Sequence, residues 1–573
     1  MKRREPASLR DLSLASVRQS FATSRWAFAT ARWALLSLAT TASLLATFSA
    51  PQVAYAQAPL AGAPVATSVD DVARVLEQGA VLERDRRWAE AMNHYESALK
   101  LHPGRPDLVE KLSLARAHYD VSRRYSDASF TGAIRTFTER DSLAVLEEVL
   151  EKVHLHYVTP PNWQQVLTSG SLNLEVALTE PDFLKHNNQN LTAEQRDWLS
   201  AESRRLASAA PIQDRKQLLT AIAALAEASE RRTGVAASAV VMEYTSGATA
   251  MLDEYSSFLT GQQMDEVFSQ IEGNFVGLGV ELKTEPQGLL IINVIPGGPA
   301  EQGGIRPQDR IVEVDQYTTQ NATPDQLADL LRGAEGSMVR VVLQAPDMRL
   351  RELKLTRKRV EVPSVDEIKM LDTDRGVGYF RITSFQKTTS RDVDAALWKL
   401  HDQGMRSLVI DLRGNPGGLL KASVDVADKF VMDGLIVATR GRSAREDFDH
   451  KGQVVGTWRV PLVLLIDGDS ASASEILAGA IRDHRRGTVV GETSYGKGSV
   501  QGIFPLASAN VGVRLTTAKW YTPSGQAISG QGVQPDITVR TTAKPANGKL
   551  LPISEDAMLR AALQVARSQA KAP

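Results

Sequence analysis

Two residues, Ser472 and Lys497, have side chains and surroundings suited to nucleophilic chemistry. Ser472 is at the predicted start of a helix, and Lys497 is in a later loop between two glycines. A serine hydroxyl is a poor nucleophile near neutral pH and needs a base beside it. Lysine can be that base where burial disfavours its charged form and lowers its pKa. Residues 468–501 therefore indicate a serine nucleophile with a lysine base, although their spacing alone leaves open a surface lysine in a turn.

A histidine base is the alternative, and helix geometry argues against it. His484 and Asp483 lie at the far end of the predicted helix that begins at Ser472, roughly 18 Å away at about 1.5 Å per residue. His401 and His450 are in the same part of the chain but have no local reason to meet the serine. A Ser-His-Asp triad is therefore not expected, and a structural role is expected for Asp483.

Attack on a carbonyl also needs N–H donors for the developing oxyanion. The first N–H groups of a helix have no acceptor within the helix, so Ala473 N–H is one candidate. A second donor could come from the glycine-rich turn at 411–418, although such a turn is commonly a plain strand-to-helix connection. Gln501, shortly after Lys497, could hold the lysine amine through a hydrogen bond.

Strands and helices alternate over residues 361–545, which predicts an α/β domain around these motifs. A buried strand ends at Asp467, so Ser472 is expected at an exposed strand-to-helix corner. An amphipathic helix is expected in the C-terminal tail, residues 546–573. The predicted strands lie within 376–385, 406–414, 461–468 and 487–492, and the predicted helices span 394–403, 419–432 and 472–485.

Residues 265–360 have short β-type runs, a Pro-Gly-Gly-Pro turn and one helix predicted at 323–332. This order resembles a PDZ domain. In such domains a glycine-containing loop offers N–H groups to a chain-terminal carboxylate, and the peptide adds as a strand to the sheet edge. A Gly-Leu-Gly sequence alone would equally suit a tight β-turn. The loop expected to bind the carboxylate is Gly277, Leu278, Gly279 and Val280.

The N-terminal half of the chain is predicted to be helical. Residues 71–126 resemble one tetratricopeptide repeat, with small or aromatic residues at the repeat's spacings: Gly79, Ala91, Tyr95, Ala98 and Pro103. An ordinary amphipathic helix pair is the alternative. One repeat cannot bury its own apolar face, so it is expected to pack on another domain or bind an adaptor protein. Residues 138–262 are predicted to form a helical platform without chemistry of its own.

The first 56 residues have the three parts of a secretory signal: a basic segment, an apolar segment at 33–50 and Ala54-Tyr55-Ala56. Cleavage after Ala56 and export to the periplasm or cell envelope are expected, followed by a flexible linker at 57–70. Because the basic segment is unusually long, a misassigned start codon or an uncleaved anchor stays open. Membrane association is expected only in the uncleaved case.

Composition narrows the function classes further. A chain of 573 residues is too long to fold around one hydrophobic core, and about three to five domains are expected. The absence of cysteine excludes disulfides, thiolate nucleophiles, thiolate zinc sites and a cysteine lipid anchor. A net charge of −1 gives no overall attraction to nucleic acid, so no nucleic-acid partner is expected. No metal or organic cofactor is implied.

Residues 240–540 resemble the C-terminal processing peptidases, also called tail-specific proteases. The resemblance rests on several motifs in order: LDEYS (252–256), DLRGNPGG (411–418), SASASE (470–475), YGKGSVQ (495–501), YTPSGQAI (521–528) and GVQPDI (532–537). It implies that Ser472 is the nucleophile, Lys497 the general base and Gln501 the residue that orients the lysine. It also implies that the oxyanion donors are the N–H groups of Ala473 and Gly418. The N-terminal helical segments lie outside the family's common core.

The predicted fold class is therefore multidomain α/β, with a crotonase-like protease core, a PDZ domain and an N-terminal helical region. The resemblance implies an exported serine endopeptidase that cleaves proteins near their C-termini and captures apolar tails with the PDZ domain. A non-catalytic peptide-binding scaffold is one alternative, which loss of Ser472 or Lys497 would favour; both are present. An acyl-transfer or lyase enzyme is another, and it would need a cofactor or thioester motif that the sequence does not display.

Overall fold

A computed structural model describes residues 69–209, 211–285, 287–320, 330–331, 333–453, 456–540 and 551–570. The predicted leader and nearly all of the predicted linker lie outside these residues, as does most of the helix predicted at 323–332. Within the described residues, no helix combines the length and apolar character that a membrane crossing requires.

The N-terminal region is helical, as predicted. Its last helix is buried along almost its whole length, which is typical of a central core helix. Buried apolar side chains of the neighbouring helices and of a later β-hairpin pack in the same hydrophobic core. The helices are α1 (Val69–Arg84), α2 (Trp88–Leu101), α3 (Pro106–Ser126), α4 (Ala128–Ile134), α5 (Glu139–His156), α6 (Trp163–Ala177), α7 (Pro181–Asn187), α8 (Ala193–Ala207), α9 (Arg215–Thr233) and α10 (Ala237–Ala250).

The first two helices pack closely where small residues allow it. A Cβ atom on Gly79 of α1 would overlap the ring of Tyr95 of α2, whose hydroxyl donates to Glu83 Oε1 at 2.7 Å. Helix α3 then joins this pair to the platform. Arg124 Nη2 donates to Glu243 Oε2 at 2.6 Å in a buried pair between α3 and α10. The assignment of α1 and α2 to a tetratricopeptide repeat stays a prediction.

A β-domain follows, as the sequence predicts. Strand β1 (Ser257–Leu259) and helix α11 (Gly261–Glu272) lead into it. Its larger sheet runs in the order β3-β4-β5-β7-β8, with β6 on β5, while β2 pairs with β9. The strands are β2 (Asn274–Gly277), β3 (Val280–Glu285), β4 (Gly288–Val294), β5 (Arg310–Val314), β6 (Tyr317–Thr318), β7 (Met338–Gln344), β8 (Leu350–Thr356) and β9 (Lys358–Glu361), with the short helix α12 (Pro299–Gln302) after β4.

The remaining elements form the predicted α/β domain; its likeness to crotonase stays a prediction. The main sheet has the order β10-β11-β12-β15-β16-β19, parallel from β11 onward. The elements are β10 (Val365–Asp372), β11 (Val377–Ile382), α13 (Thr389–Asp402), β12 (Ser407–Asp411), α14 (Leu420–Asp428), β13 (Leu435–Gly441), β14 (Phe448–Lys451), β15 (Leu462–Ile466), α15 (Ala473–Asp483), β16 (Thr488–Gly491), β17 (Ser499–Pro505), β18 (Gly512–Tyr521), β19 (Ile537–Thr538) and α16 (Ala557–Gln569).

Two features of this domain determine where the motifs meet. Strands β12 and β15 are parallel neighbours, so the turns that follow them lie at the same sheet edge. A second sheet pairs β18 with β1, β13 and β17. The β17–β18 hairpin also contributes to the core of the helical platform through residues such as Val513 and Leu515. The glycine turn, the start of α15 and the loop before β17 are thereby brought together.

Candidate active site

Ser472 lies at the turn between β15 and α15, immediately before the first helical residue, Ala473. Its φ of 54° and ψ of −112° fall outside the regions that non-glycine residues favour. Such strain persists only where surrounding contacts enforce it, and it is concentrated at functional sites. The side chain is partly exposed at the end of a fully buried strand. The chain therefore presents a hydroxyl at a sharp corner, as a nucleophile requires.

Glu475 holds this corner and the lysine loop together. Its Oε2 accepts the backbone N–H of Ser472 at 2.7 Å and the backbone N–H of Lys497 at 2.9 Å. Its Oε1 accepts Ser494 Oγ–H and Gly496 N–H, both at 2.6 Å. Four donors thus satisfy a carboxylate that is fully buried. The backbone N–H groups of Ser472 and Lys497 are therefore joined through one oxygen atom of the Glu475 side chain.

Glu475 is not among the site residues predicted from the sequence. The signal was available, because Ser472 and Glu475 have the Ser-x-x-Glu spacing of a capping box, which places a carboxylate over the start of a helix. That local pattern predicts the bond to Ser472 N–H. It does not predict the three donors from the distant loop, which only tertiary contacts supply.

The loop of Lys497 is also held from the second sheet. Trp520 Nε1–H donates to Lys497 C=O at 2.9 Å, and Trp520 N–H donates to Gly498 C=O at 3.0 Å. Lys497 Nζ lies 4.6 Å from the centroid of the Tyr255 ring. In the part of the chain that the structure describes, this amine forms no hydrogen bond or ion pair, and Ser472 Oγ is not bonded to it.

The surroundings of Lys497 favour the neutral amine. Burial lowers the pKa of Lys497 below its usual value, and the positive charge of Arg514 lowers it further. Carboxylates act in the opposite direction: Glu254, Asp253 and Glu475 stabilise the ammonium form. The net direction is downward, which is the direction that a lysine base requires.

Gln501 lies at the start of the β17–β18 hairpin, opposite Thr516. Its Nε2 donates to Ser499 Oγ at 2.9 Å and to Thr516 Oγ1 at 3.3 Å. The structure therefore places Gln501 on the strand that follows the Lys497 loop, but its amide N–H groups are engaged with neighbouring hydroxyls rather than with the lysine.

The glycine turn packs directly on the serine. A Cβ atom on Gly417, whose φ is 105°, would lie 2.8 Å from the Cβ of Ser472. Gly417 N–H donates to Asn415 Oδ1 at 2.8 Å, so it is not available to a substrate. Among the described residues, the N–H groups of Gly418 and Ala473 donate to no acceptor. These two amides are the ones that the family resemblance implies as donors to the oxyanion.

Asn415 fastens the turn to the start of α15. Its carbonyl accepts Ala471 N–H at 3.0 Å and Ser474 Oγ–H at 3.0 Å, and its own Nδ2 donates to Ile382 C=O at 2.9 Å. The side chain is fully buried. Two hydrogen bonds to the Asn415 carbonyl thus join the glycine turn to the residues on either side of Ser472, and the third bond ties Asn415 to the end of β11.

The two residues rejected as triad partners have structural contacts elsewhere. Asp483 Oδ2 accepts Ser524 N–H at 2.9 Å, and His484 Nε2 lies 2.7 Å from Leu435 C=O. Neither contact involves Ser472 or Lys497.

The glycine loop of the β-domain contains one residue whose backbone conformation favours glycine. Gly279 has a φ of 78°, a conformation that favours glycine. Leu278 C=O accepts Ala300 N–H at 2.8 Å, and Gly279 C=O accepts Ile295 N–H at 2.9 Å. Val280 begins strand β3 opposite Val294. Carboxylate binding by Gly277, Leu278, Gly279 and Val280 stays a prediction.

Comparison with known proteins places the chain among peptidases. Residues 376–539 match the model of peptidase family S41, and residues 290–345 match a PDZ domain model. A carboxy-terminal-processing protease of Bartonella bacilliformis is 37% identical over 302 residues, which cover 51% of this chain and 68% of that protein. A carboxyl-terminal-processing protease of Synechocystis sp. is 36% identical over 298 residues, which cover 51% of this chain and 69% of that protein. Among solved structures, the photosystem II D1 C-terminal processing protease is 26% identical and aligns with 70% of this chain and 93% of its own, at a TM-score of 0.36.

Proposed function

This chain belongs to peptidase family S41 and is a serine-type endopeptidase of the carboxy-terminal-processing group, and we propose that it cleaves peptide bonds with Ser472 as nucleophile and Lys497 as general base. The observation that carries the proposal is the shared carboxylate oxygen, Glu475 Oε2, which accepts the N–H groups of both residues. Glu475 is the positioning residue of the pair.

The proposed reaction has two stages. Neutral Lys497 Nζ accepts the proton of Ser472 Oγ as the oxygen attacks the peptide carbonyl. The N–H groups of Ala473 and Gly418 donate to the oxyanion that forms. When the C–N bond breaks, the ammonium group of Lys497 returns a proton to the leaving amine. Lys497 then deprotonates a water molecule, which hydrolyses the acyl-enzyme and restores Ser472.

Gln501 is proposed to orient the lysine amine during this reaction. It is part of the same short loop-and-strand segment as Lys497, and its amide is kept in place by Ser499 and Thr516. A hydrogen bond donated by the Lys497 amine N–H to the Gln501 amide oxygen would fix the direction of the lysine lone pair.

The substrate class proposed is proteins with apolar C-terminal tails. The β-domain at 265–360 would bind the tail as an added strand, with the chain carboxylate at residues 277–280. Export through the predicted leader, cleaved after Ala56, is proposed as well, because the three parts of a signal occur in order in the sequence. We also propose that the domains have the boundaries predicted from the sequence.

The test is cleavage of a peptide that ends in apolar residues with a free carboxylate. Ser472→Ala and Lys497→Ala are expected to lose activity by about 10³-fold or more. Lys421→Ala, which removes an exposed lysine from α14, is the matched control and is expected to keep wild-type activity. Cleavage that survives both site substitutions would overturn the mechanism. A wild-type protein that binds the peptide without cutting it would favour the scaffold alternative.

The role of the tail is tested with the same peptide carrying a C-terminal amide. Loss of the carboxylate is expected to raise KM, because the backbone N–H groups of the glycine loop would then lack a charged acceptor. Equal KM values for the acid and the amide would contradict carboxylate capture by the β-domain.

A further inference from the structure

Tyr255 contacts two cationic side chains, Lys497 through its ring and Arg514 through its backbone carbonyl. Its ring centroid is 4.6 Å from Lys497 Nζ, and its backbone carbonyl accepts Arg514 Nε–H at 2.9 Å. A cation within about 6 Å of an aromatic ring face is attracted by the electron-rich face of the ring. The proposed reaction assigns no task to this tyrosine.

The position of Tyr255 is determined by contacts on both sides of its backbone. Its N–H donates to Asp253 Oδ1 at 2.8 Å, opposite the carbonyl that accepts Arg514. The next residue, Ser256, accepts Thr516 N–H at 3.2 Å and donates to Asp253 Oδ2 at 3.1 Å. Strand β1 then pairs with β18, with Ser257 opposite Arg514. The backbone that carries the ring is therefore held by hydrogen bonds on both sides and by the pairing of the next strand.

We propose that Tyr255 is a positioning residue for Lys497: its ring face holds the ammonium group in the resting enzyme and releases the amine once it is deprotonated. The inference rests on the proposed function of Ser472 and Lys497. Its physical basis is that a ring face attracts a charged ammonium group but has no comparable attraction for a neutral amine. Loss of the proton would therefore free the side chain to reach Ser472 Oγ at the moment when it becomes a base.

The charged groups around the Lys497 amine act in opposite directions, so an additional attraction from the ring can change the balance between its charged and neutral forms. Arg514 of β18 disfavours the ammonium form, as does burial, whereas Glu254 and Asp253 before β1 and Glu475 of α15 favour it. The ring adds to the second group. Its removal is therefore expected to move the titration of Lys497 toward lower pH.

The tyrosine itself stays neutral over the working range. Burial raises the pKa of Tyr255 well above its usual value, and Glu254 and Tyr495 beside its hydroxyl raise it further. The ring face, not a phenolate, is thus what the ammonium group meets. This distinction makes Tyr255→Phe, which keeps the ring, the matched partner of Tyr255→Leu, which removes it.

The first experiment compares the pH dependence of kcat/KM for the two variants. Tyr255→Leu is expected to shift the acid limb by about half to one pH unit toward lower pH. Tyr255→Phe is expected to keep the limb within about 0.2 unit of the wild type, by the same reasoning. A limb that does not move in Tyr255→Leu overturns the proposal, and so does an equal shift in both variants, since the hydroxyl would then be responsible.

The second experiment does not depend on catalysis. In a Ser472→Ala background, the rate of Lys497 modification by an amine-reactive reagent is followed against pH by peptide mass spectrometry. Faster modification of Lys497 at low pH in Tyr255→Leu than in Tyr255→Phe supports the contact even if the proposed dyad fails its own test. Identical titrations overturn it even if the dyad is correct. Thermal unfolding verifies that Tyr255→Leu and Tyr255→Phe are folded. If both have the melting temperature of the wild type, a difference in Lys497 modification, or its absence, is not due to unfolding.

Discussion

Gly417 and Ser472 are in such close contact that a Cβ atom on the glycine would lie 2.8 Å from the serine Cβ. The same added atom would lie 2.7 Å from Ala471 C=O, and the glycine φ of 105° is one that other residues rarely adopt. The glycine turn at 414–418 and Ser472 therefore touch through a glycine that has no room for a side chain.

Gly417→Ala is expected to lower kcat by about 10²-fold or more, because displacement of the turn moves Gly418 N–H away from the position of the oxyanion. KM for a tail peptide should change little, since the β-domain is not touched. The control is Gly525→Ala, where an added Cβ meets no atom within 4 Å although φ is also positive. Equal losses in both variants would show that backbone strain, not contact with Ser472, causes the effect.

Glu475→Gln tests the shared carboxylate at almost constant volume. The amide has one acceptor oxygen and one donating NH₂, so at least one backbone N–H that now donates to Glu475 would face another donor. We expect a loss of about 2–4 kcal/mol in the free energy of unfolding and a fall in kcat of at least 10²-fold.

The reference for Glu475→Gln is Glu446→Gln, a partly exposed glutamate outside this network whose Oε1 lies 3.7 Å from His156 Nδ1. Chemical denaturation and steady-state kinetics measure the two effects separately. Wild-type kcat in Glu475→Gln would mean that the hydrogen bonds between helix and loop are not needed to align the dyad.

The pH dependence of activity should report the lowered pKa of Lys497. A lysine base is active when neutral, so kcat/KM should rise as pH increases through a value below the usual 10.5. Lys497→Arg should be inactive over the whole range, because arginine is not deprotonated in proteins. A rate that is flat between about pH 6 and 10 would contradict a titrating lysine.

The lowered pKa of Lys497 should also make the free energy of unfolding depend on pH. Because burial lowers the pKa of Lys497 in the folded state, the unfolded chain binds more protons in the window between that value and 10.5. This residue therefore disfavours folding below the window, and that penalty disappears as pH rises through it. Lys497→Met should raise the melting temperature near pH 7, and the gain should shrink toward pH 10.5. A gain that is independent of pH would refute the linkage.

The buried pair Arg124–Glu243 should be the main electrostatic link between α3 and the platform. Both side chains are almost completely buried, and Glu243 also accepts Tyr125 O–H at 2.9 Å and Asn173 Nδ2–H at 2.6 Å. Arg124→Ala is expected to cost about 3–5 kcal/mol, because it leaves a buried carboxylate without its counter-charge.

The matched change for this pair is at the exposed ion pair of Lys421 and Asp425, where Lys421→Ala should cost less than about 1 kcal/mol. Denaturant unfolding of both variants provides the comparison. Similar losses would show that burial does not strengthen the link.

Local patterns in the sequence predicted the main parts of the molecule. The alternation of strands and helices predicted the α/β domain, and the short β-runs with their turns predicted the β-domain; the structure and the family comparison confirm both. The strand-to-helix corner at Ser472 was predictable because strand, turn and helix signals follow one another within a few residues. A structural feature within a short segment can be predicted in this way because it depends on neighbouring residues in the chain.

Contacts between segments that are distant in the chain could not be predicted from the sequence. Tyr255 belongs to the motif LDEYS, yet nothing local indicates that its carbonyl accepts a hydrogen bond from Arg514, 259 residues later. The three loop donors to Glu475 and the engagement of Gln501 with Thr516 are of the same kind. Each depends on the register of β17, β18 and β1, which is determined by the packing of the whole second sheet.

The sequence by itself determined which residues are available for serine-lysine chemistry and which are excluded, because residue type and helix rise are properties of the chain. Only the tertiary structure decided how these residues are held: a carboxylate joining two backbones, a glycine pressed against the serine and an aromatic ring beside the lysine amine. The physical reason is that such contacts form when strands far apart in sequence pair in one particular register, and no local pattern encodes that register.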